Sequence, residues 1–184
     1  MDYKTKAISR DEIRNIAKVI RKLFKCRNKY YFDVIKAFEL LPVMFKNVFT
    51  EIVLDDDPEL GSAPSSIIPD MNGNYIIKIK DSIYDGAHHR KIGGYRNHIM
   101  HEICHFFLFM LGYTPHFDRV YKNFELKNYE SIEWQAKALA GEILIPYENT
   151  IGLTEKEIIR KCKVSIEAAK KRVSLDNKEY NKEF

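Results

Sequence analysis

Apolar residues recur along the chain with two different periods, and each period predicts a different kind of element. After Ser9, apolar side chains return every three or four positions with basic residues between them, as in an amphipathic helix. Ser9 and Glu12 have the spacing of a capping box, so we expect this helix to begin there. A second helix is predicted through "YFDVIKAFELL", ending just before Pro42 because proline interrupts helical hydrogen bonding.

In the middle of the chain the period shortens to two, which is typical of β-strands. The runs "SSII" and "YIIKIK" flank Asn72-Gly73, a strong signal for a tight hairpin, and "FTEIVL" is a further β-rich run. Long helices of the kind that parallel crossovers need do not separate these runs. The pattern therefore predicts an α+β fold with a small antiparallel sheet of about three strands.

The helical period returns in the second half of the chain. One helix is predicted over roughly residues 95–111, closed by Gly112, and another over about 132–144, stopped by Pro146. Both segments are rich in apolar residues, so we expect them to pack into the core.

Two shorter helices are predicted near the end of the chain. Thr154 and Glu157 can form a capping box, and Ser165 can cap the helix that follows. This is helix–turn–helix spacing, and the basic residues 170–172 lie on the second helix. Because such a string is weak evidence alone, we favour two amphipathic helices packed on the rest of the protein, with DNA or repressor contact as the alternative.

Length, charge and cysteine usage narrow the class of protein. The 184 residues suffice for a hydrophobic core, and a net charge of +4 neither demands nor excludes a nucleic-acid partner. The three cysteines are far apart and odd in number, which indicates a reducing compartment and no disulfide framework. The charged start "MDYKTKAISRDEIR" has no secretory pattern, and no apolar run reaches membrane-spanning length. We expect a cytoplasmic protein without membrane association.

The stretch "HEICH" at residues 101–105 carries the chemistry that the sequence suggests most directly. His101 and His105 lie about 40° apart around a helix and about 6 Å apart along it, so both imidazoles can reach one ion. Two such ligands suit Zn²⁺, with Zn–N distances of ~2.0–2.1 Å. Glu102 leans toward the same rim and can act on a water there without binding the metal. The alternative is two structural histidines on a buried helix.

A third ligand decides between these interpretations. The extended motif HExxHxxGxxH fails, because Leu108 and Leu111 occupy its glycine and histidine positions. A carboxylate on a second, closely packed helix remains, and Glu133 in "SIEWQAKALAGEILIP" fits, with small residues after it that allow close helix packing. Glu130 is a less favoured alternative. Glu133 could instead be an ordinary first-turn glutamate favoured by the helix dipole.

"HEICH", a gap of 27 residues and "EWQAKALAGEILIP" together resemble the ImmA/IrrE family of small zinc metallopeptidases. That family has HExxH on one helix and a glutamate opening a similar stretch on the next. "YIIKIKDSIYDGA" and "KCKVSIEAAKKRV" also resemble its flanking segments, so the likeness covers roughly residues 50–175. The resemblance implies a zincin-like, gluzincin-type domain in which a small antiparallel sheet packs on the HExxH helix and the glutamate helix, with extra terminal helices.

The resemblance also implies residue roles. His101, His105 and Glu133 would bind one Zn²⁺ per chain, and Glu102 would be the general base of peptide hydrolysis. The chain departs from the family at Lys137, where an Asn or Asp usually hydrogen-bonds a ligand histidine.

Hydrolysis of an amide also needs a donor for the tetrahedral oxyanion. His98, Tyr113 and His116 are candidates for this role or for substrate contact, although a residue of each kind is more often structural.

The resulting hypothesis is a cytoplasmic zinc endopeptidase that cleaves a regulatory protein at a specific site. The family resemblance implies a helix–turn–helix repressor of a mobile element or stress response as the substrate. The alternative is a DNA- or repressor-binding regulator with a non-catalytic zinc site, and amide hydrolysis of a small molecule ranks last. We expect residues 1–150 to form the metallopeptidase domain and 151–184 a helical segment packed on it.

Overall fold

The computed structural model describes residues 2–115 and 127–180. These residues form three strands, eight α-helices and a short 3₁₀ turn around one core. In chain order the elements are α1 (Arg10–Leu23), α2 (Val34–Met44), β1 (Val48–Val53), β2 (Ser65–Pro69), β3 (Tyr75–Lys80), α3 (Asp81–His88), α4 (Gly93–Met110), the 3₁₀ turn (Asn128–Glu130), α5 (Ile132–Leu144), α6 (Tyr147–Thr150), α7 (Glu155–Cys162) and α8 (Ile166–Tyr180).

Most helix boundaries follow the local signals in the sequence. The capping boxes of Ser9 with Glu12 and of Thr154 with Glu157 are both present, and α5 has its predicted bounds. The prediction for α2 is wrong at its end, because the helix continues past Pro42 to Met44. Pro42 lies in the last turn, so the helix needs only a short continuation beyond the missing N–H group.

The three-stranded sheet has the order β1-β3-β2, and its topology corrects the prediction of a purely antiparallel sheet. β2 and β3 form the predicted hairpin, with Gly73 at a φ of 79° in its turn. β1, however, pairs in parallel with β3. The connection 54–64 carries the chain to the far edge before the hairpin returns β3 to the middle. The α+β class is confirmed, and the gluzincin-type arrangement stays a prediction.

Helix α4 runs through the centre of the core. Its apolar residues are buried on several sides, where they contact α2, α3, α5 and the sheet. The sheet contributes Ile77 and Ile79, which are fully buried on its inner face. A helix enclosed in this way has little freedom to shift, so the positions of its polar side chains are well defined.

The two C-terminal helices are anchored to the start of α4. Arg96 is fully buried and donates hydrogen bonds to the carbonyls of Cys162 and Lys163 in the α7–α8 turn, and to the carbonyl of Phe32 at 2.6 Å. Gly93 packs so tightly against this turn that a Cβ there would lie 2.3 Å from the nitrogen of Ser165.

Helix α8 also contacts α5. Arg172 is only 4% exposed and forms an ion pair with Glu142 at 2.8 Å, so one of the three basic residues of the predicted recognition helix is held inside the protein. None of the helices in the described residues combines the length and the apolar character required to cross a bilayer.

Candidate metal centre

Helix α4 brings His101 and His105 together. The residues are four apart on one face, and their Nε2 atoms lie 3.1 Å from each other. The side chain of His105 is 6% exposed and that of His101 is 15% exposed. Both Nε2 atoms face the first turn of α5, so the helix itself sets the relative position of the pair.

Helix α5 presents Glu133 to both imidazoles. Its Oε2 lies 3.3 Å from Nε2 of His101, and its Oε1 lies 3.3 Å from Nε2 of His105. Hydrogen bonds from these two histidines hold the pKa of the Glu133 carboxyl well below its ordinary value. Ala136 and Ala140 are completely buried, in keeping with the close helix packing expected from the sequence.

The start of α5 is fixed by its cap and by the N-terminal segment. Ser131 accepts a hydrogen bond from the amide of Trp134 at 2.9 Å and donates one to Asp2 at 2.6 Å. The amide of Glu133 also donates to Asp2, at 3.3 Å. The backbone that carries Glu133 is therefore tied to residues at the opposite end of the chain.

The three groups lie close enough together to share one metal ion. At Zn–ligand distances of ~2.0–2.1 Å, tetrahedral angles separate neighbouring ligand atoms by about 3.3 Å. Here the two Nε2 atoms are 3.1 Å apart, and each lies 3.3 Å from a different oxygen of Glu133. Within the described residues, His101, His105 and Glu133 form the group of potential ligands whose atoms all lie within 4.8 Å of one another. The donor set can hold a metal ion, and two imidazoles with a carboxylate are the ligands that zinc uses.

Glu102 lies next to this group and is held by a residue from the sheet. It is 7% exposed, and its Oε1 accepts a hydrogen bond from the hydroxyl of Ser65 at 2.9 Å. Its Oε2 makes no hydrogen bond to any other described residue. Ser65 begins β2 and lies 37 positions away in sequence. Ser65 thus fixes one carboxylate oxygen of Glu102.

The second nitrogens of the two histidines have no described acceptor. Nδ1 of His101 and Nδ1 of His105 are buried without a hydrogen-bond partner in the part of the chain that the structure describes. Lys137, at the position where the family usually has Asn or Asp, instead places its Nζ 3.7 Å from Oε2 of Glu133. A cation next to a ligand carboxylate weakens the attraction of that carboxylate for a metal, so the departure at Lys137 changes the electrostatics of the centre.

A cleft of about 520 Å³ opens over the three groups. One wall comes from β2, through Ser65, Ser66 and Ile67, and Tyr3 lines the cleft from the N-terminal segment. Sequence reasoning missed both Ser65 and Tyr3. Ser65 had no local signal beyond its place at the start of a strand, and Tyr3 had none.

The remaining candidate residues that the structure describes do not line this cleft. His98 lines a neighbouring groove and is half-buried, and burial lowers its pKa. Tyr113 is buried, with the ammonium of Lys6 at 5.5 Å from its ring, and it does not line the cleft. Glu130 pairs with Lys4 at 3.3 Å. His116 lies outside the described residues, and the proposed oxyanion or substrate contacts of all three candidates stay predictions.

Comparisons with known proteins agree with the motif. Residues 90–174 match the family model Peptidase_M78, described as the IrrE N-terminal-like domain. The match contains His101, Glu102, His105 and Glu133, and it continues across α7 and the first half of α8. No curated protein and no solved structure matches the chain.

Proposed function

We propose that the chain is a zinc-dependent endopeptidase, on the premise that residues 90–174 match the IrrE N-terminal-like domain of a peptidase family. One observation carries the proposal: two imidazoles and a carboxylate converge beside a buried glutamate that is not part of the ligand group. In this proposal His101, His105 and Glu133 hold the metal, and Glu102 is the general base.

The protein's own groups have separate tasks in this reaction. A bound Zn²⁺ supplies Lewis acidity, which polarises a peptide carbonyl and makes a water a better nucleophile. Glu102 accepts the proton of the attacking water at Oε2 and then passes it to the leaving amine. Ser65 holds Oε1, so the carboxylate does not rotate away during the transfer.

The cleft suits an extended peptide. β2 is an edge strand, and in the described residues no other strand pairs with its outer side. A substrate segment can add to this edge by backbone hydrogen bonds and pass directly over His101 and His105. Because the segment must be extended, we expect cleavage in exposed linkers of a folded protein, which is limited proteolysis.

We further propose that the substrate is a regulatory protein, and specifically a helix–turn–helix repressor. The likeness of "HEICH" and "EWQAKALAGEILIP" to the ImmA/IrrE family supports this substrate class. The second candidate function is a DNA- or repressor-binding regulator with a metal site that is not catalytic. Two observations favour it: Nδ1 of each ligand histidine lacks a described acceptor, and Lys137 approaches Glu133.

Co-expression distinguishes the two candidates. The full chain is produced with a helix–turn–helix repressor encoded beside it, in parallel with the Glu102→Gln variant, and both forms are checked for zinc content. We expect the wild type to cleave the repressor at one bond and the variant to slow cleavage by about 10²–10⁴-fold with its zinc retained. Repressor release without cleavage, equal for the two forms, would favour the regulator.

A further inference from the structure

A second depression, which we term the basic groove, begins beside the candidate metal centre. It has a volume of about 360 Å³ and lies where α4, α5 and α8 meet. The residues that matter for its chemistry are Arg10, His98, Lys137, Glu167, Lys171 and Arg172. It is a concave site enclosed by three helices, separate from the cleft over the metal ligands.

The basic groove lies next to the candidate metal centre along the interface between α4 and α5. His98 precedes His101 by three residues on α4, and Lys137 follows Glu133 by four residues on α5. Each step is about one helical turn, or about 5 Å along the axis. A peptide that crosses the metal centre from the cleft side therefore meets the basic groove within a few residues.

The charge of the basic groove is predominantly positive. Four cationic side chains line it against the single carboxylate of Glu167. Arg10 and Arg172 already share the buried carboxylate of Glu142, at 3.6 and 2.8 Å. Their charges are therefore already paired with a buried carboxylate and are less available to a ligand.

Lys137 and Lys171 supply the charge that a ligand can use. Both side chains are exposed, and among the described residues Lys171 has no ion-pair partner. Lys137 pairs with Glu133 at 3.7 Å, and a metal ion bound by Glu133 would compete for that same carboxylate.

We propose that the basic groove is a specificity subsite that binds an Asp or Glu side chain of the peptide substrate, a few residues from the cleaved bond. The proposal rests on the proposed endopeptidase function. A carboxylate there gains the attraction of Lys137 and Lys171 without displacing a buried ion pair. A groove of 360 Å³ has room for a side chain and its flanking backbone, whereas a DNA duplex needs a broad surface.

Cleavage of a peptide library tests the proposal. The zinc-loaded full chain is incubated with peptides from a digested proteome, and the residues around each cleaved bond are identified by mass spectrometry. We expect Asp and Glu to be enriched at one position on one side of the bond. The double variant Lys137→Gln/Lys171→Gln should lose this enrichment, and Glu167→Gln should increase it. Lys170→Gln, on the same helix outside the groove, is the matched control and should leave it unchanged.

The outcomes separate this inference from the proposed function. Cleavage without acidic enrichment, or enrichment that persists in the double variant, overturns the subsite and leaves the peptidase standing. The absence of cleavage by the wild type overturns the endopeptidase proposal, and the subsite falls with it.

A binding measurement identifies the class of ligand. Fluorescein-labelled hexaglutamate and hexaglutamine are titrated with zinc-loaded Glu102→Gln protein, and fluorescence anisotropy is recorded. We expect hexaglutamate to bind more tightly, with a loss of about two- to five-fold for each lysine replaced. A labelled DNA duplex that binds more tightly than hexaglutamate, with the same dependence on Lys137 and Lys171, would identify the groove as a nucleic-acid surface and overturn the proposal.

Discussion

Helices α4 and α5 contribute to the candidate metal centre in different ways. α4 supplies His101 and His105 from the middle of a buried helix, where the helical repeat alone sets their separation. α5 supplies Glu133 from its first turn, and Asp2 and Ser131 hold that turn in place. The positions of His101 and His105 are therefore fixed by local helical geometry, whereas the position of Glu133 depends on contacts between distant parts of the chain. Substitutions in the two helices should therefore differ in their effect on metal binding.

The largest effect is expected from removing a ligand of α4. His105→Ala should weaken zinc binding by about 10³-fold, because a structural zinc site gains ~10–16 kcal/mol that is shared among its ligands. Glu133→Gln should weaken it by about 10²-fold, since an amide oxygen can still approach the ion. Competition with a fluorescent chelator measures both.

His98→Ala is the matched control for these two variants, because His98 lies one turn away on the same helix and lines the basic groove instead. It should retain the zinc affinity of the wild type. An unchanged affinity in His105→Ala would contradict the assignment of the centre.

The next largest effect is expected at Ser65. Ser65→Ala removes a buried hydrogen bond to the Glu102 carboxylate, so kcat should fall by about 10- to 100-fold, as a bond to a charged group contributes ~1.5–3 kcal/mol. Zinc affinity should not change. Ser66→Ala, at the next position and also in the cleft, should have little effect on kcat. Equal rates for the wild type and Ser65→Ala would show that Glu102 does not need this partner.

A smaller effect is expected from Asp2. Asp2→Ala removes the acceptor for Ser131 and for the amide of Glu133, so the first turn of α5 should become less ordered. We expect a loss of about two- to five-fold in zinc affinity, comparable to the loss of a helix cap. Asp11→Ala, which is exposed in the first turn of α1, is the control. A loss as large as that of Glu133→Gln would mean that α5 is much less rigid than α4.

The smallest effect concerns pH in the metal-free protein. The pKa of Glu133 lies well below its ordinary value of 4.5, because His101 and His105 donate hydrogen bonds to the carboxylate. The ionised Glu133 carboxylate therefore stabilises the folded state. This contribution is fully present above pH 4.5, and it is lost as the pH falls through the lowered pKa of the folded state.

The wild type should therefore exceed Glu133→Gln in its free energy of unfolding near neutral pH, by less than about 1 kcal/mol for a partly exposed pair. Urea denaturation at several pH values should show the difference shrinking on acidification. A difference that grows at low pH would contradict the pairing.

The difference between local and long-range contacts also explains which features could be predicted from the sequence. The bounds of α5, the hairpin at Asn72-Gly73 and the spacing of His101 and His105 follow from patterns within a few residues. The parallel pairing of β1 did not, because alternation identifies the buried face of a strand but not the direction of its neighbour.

Ser65 and Asp2 could not be identified from the sequence because their contacts are with residues far away along the chain. Ser65 reaches Glu102 across 37 positions, and Asp2 reaches Ser131 across 129. Neither pair leaves a local signature, since a serine at a strand end and an aspartate in a terminal segment are common in any chain. Glu133 was identifiable only because a motif accompanies it.

The guanidinium of Arg96 has a consequence for how the protein can be altered. It lies one turn and a half before His101 on the same helix, and the last two helices provide two of its three carbonyl acceptors. A truncated chain that stopped after α6 would leave a permanent charge in the interior without most of its hydrogen bonds, directly at the base of the segment that carries the histidines. Helices α7 and α8 therefore do not form an independent module, and deleting them would disturb the helix that carries two residues of the candidate metal centre.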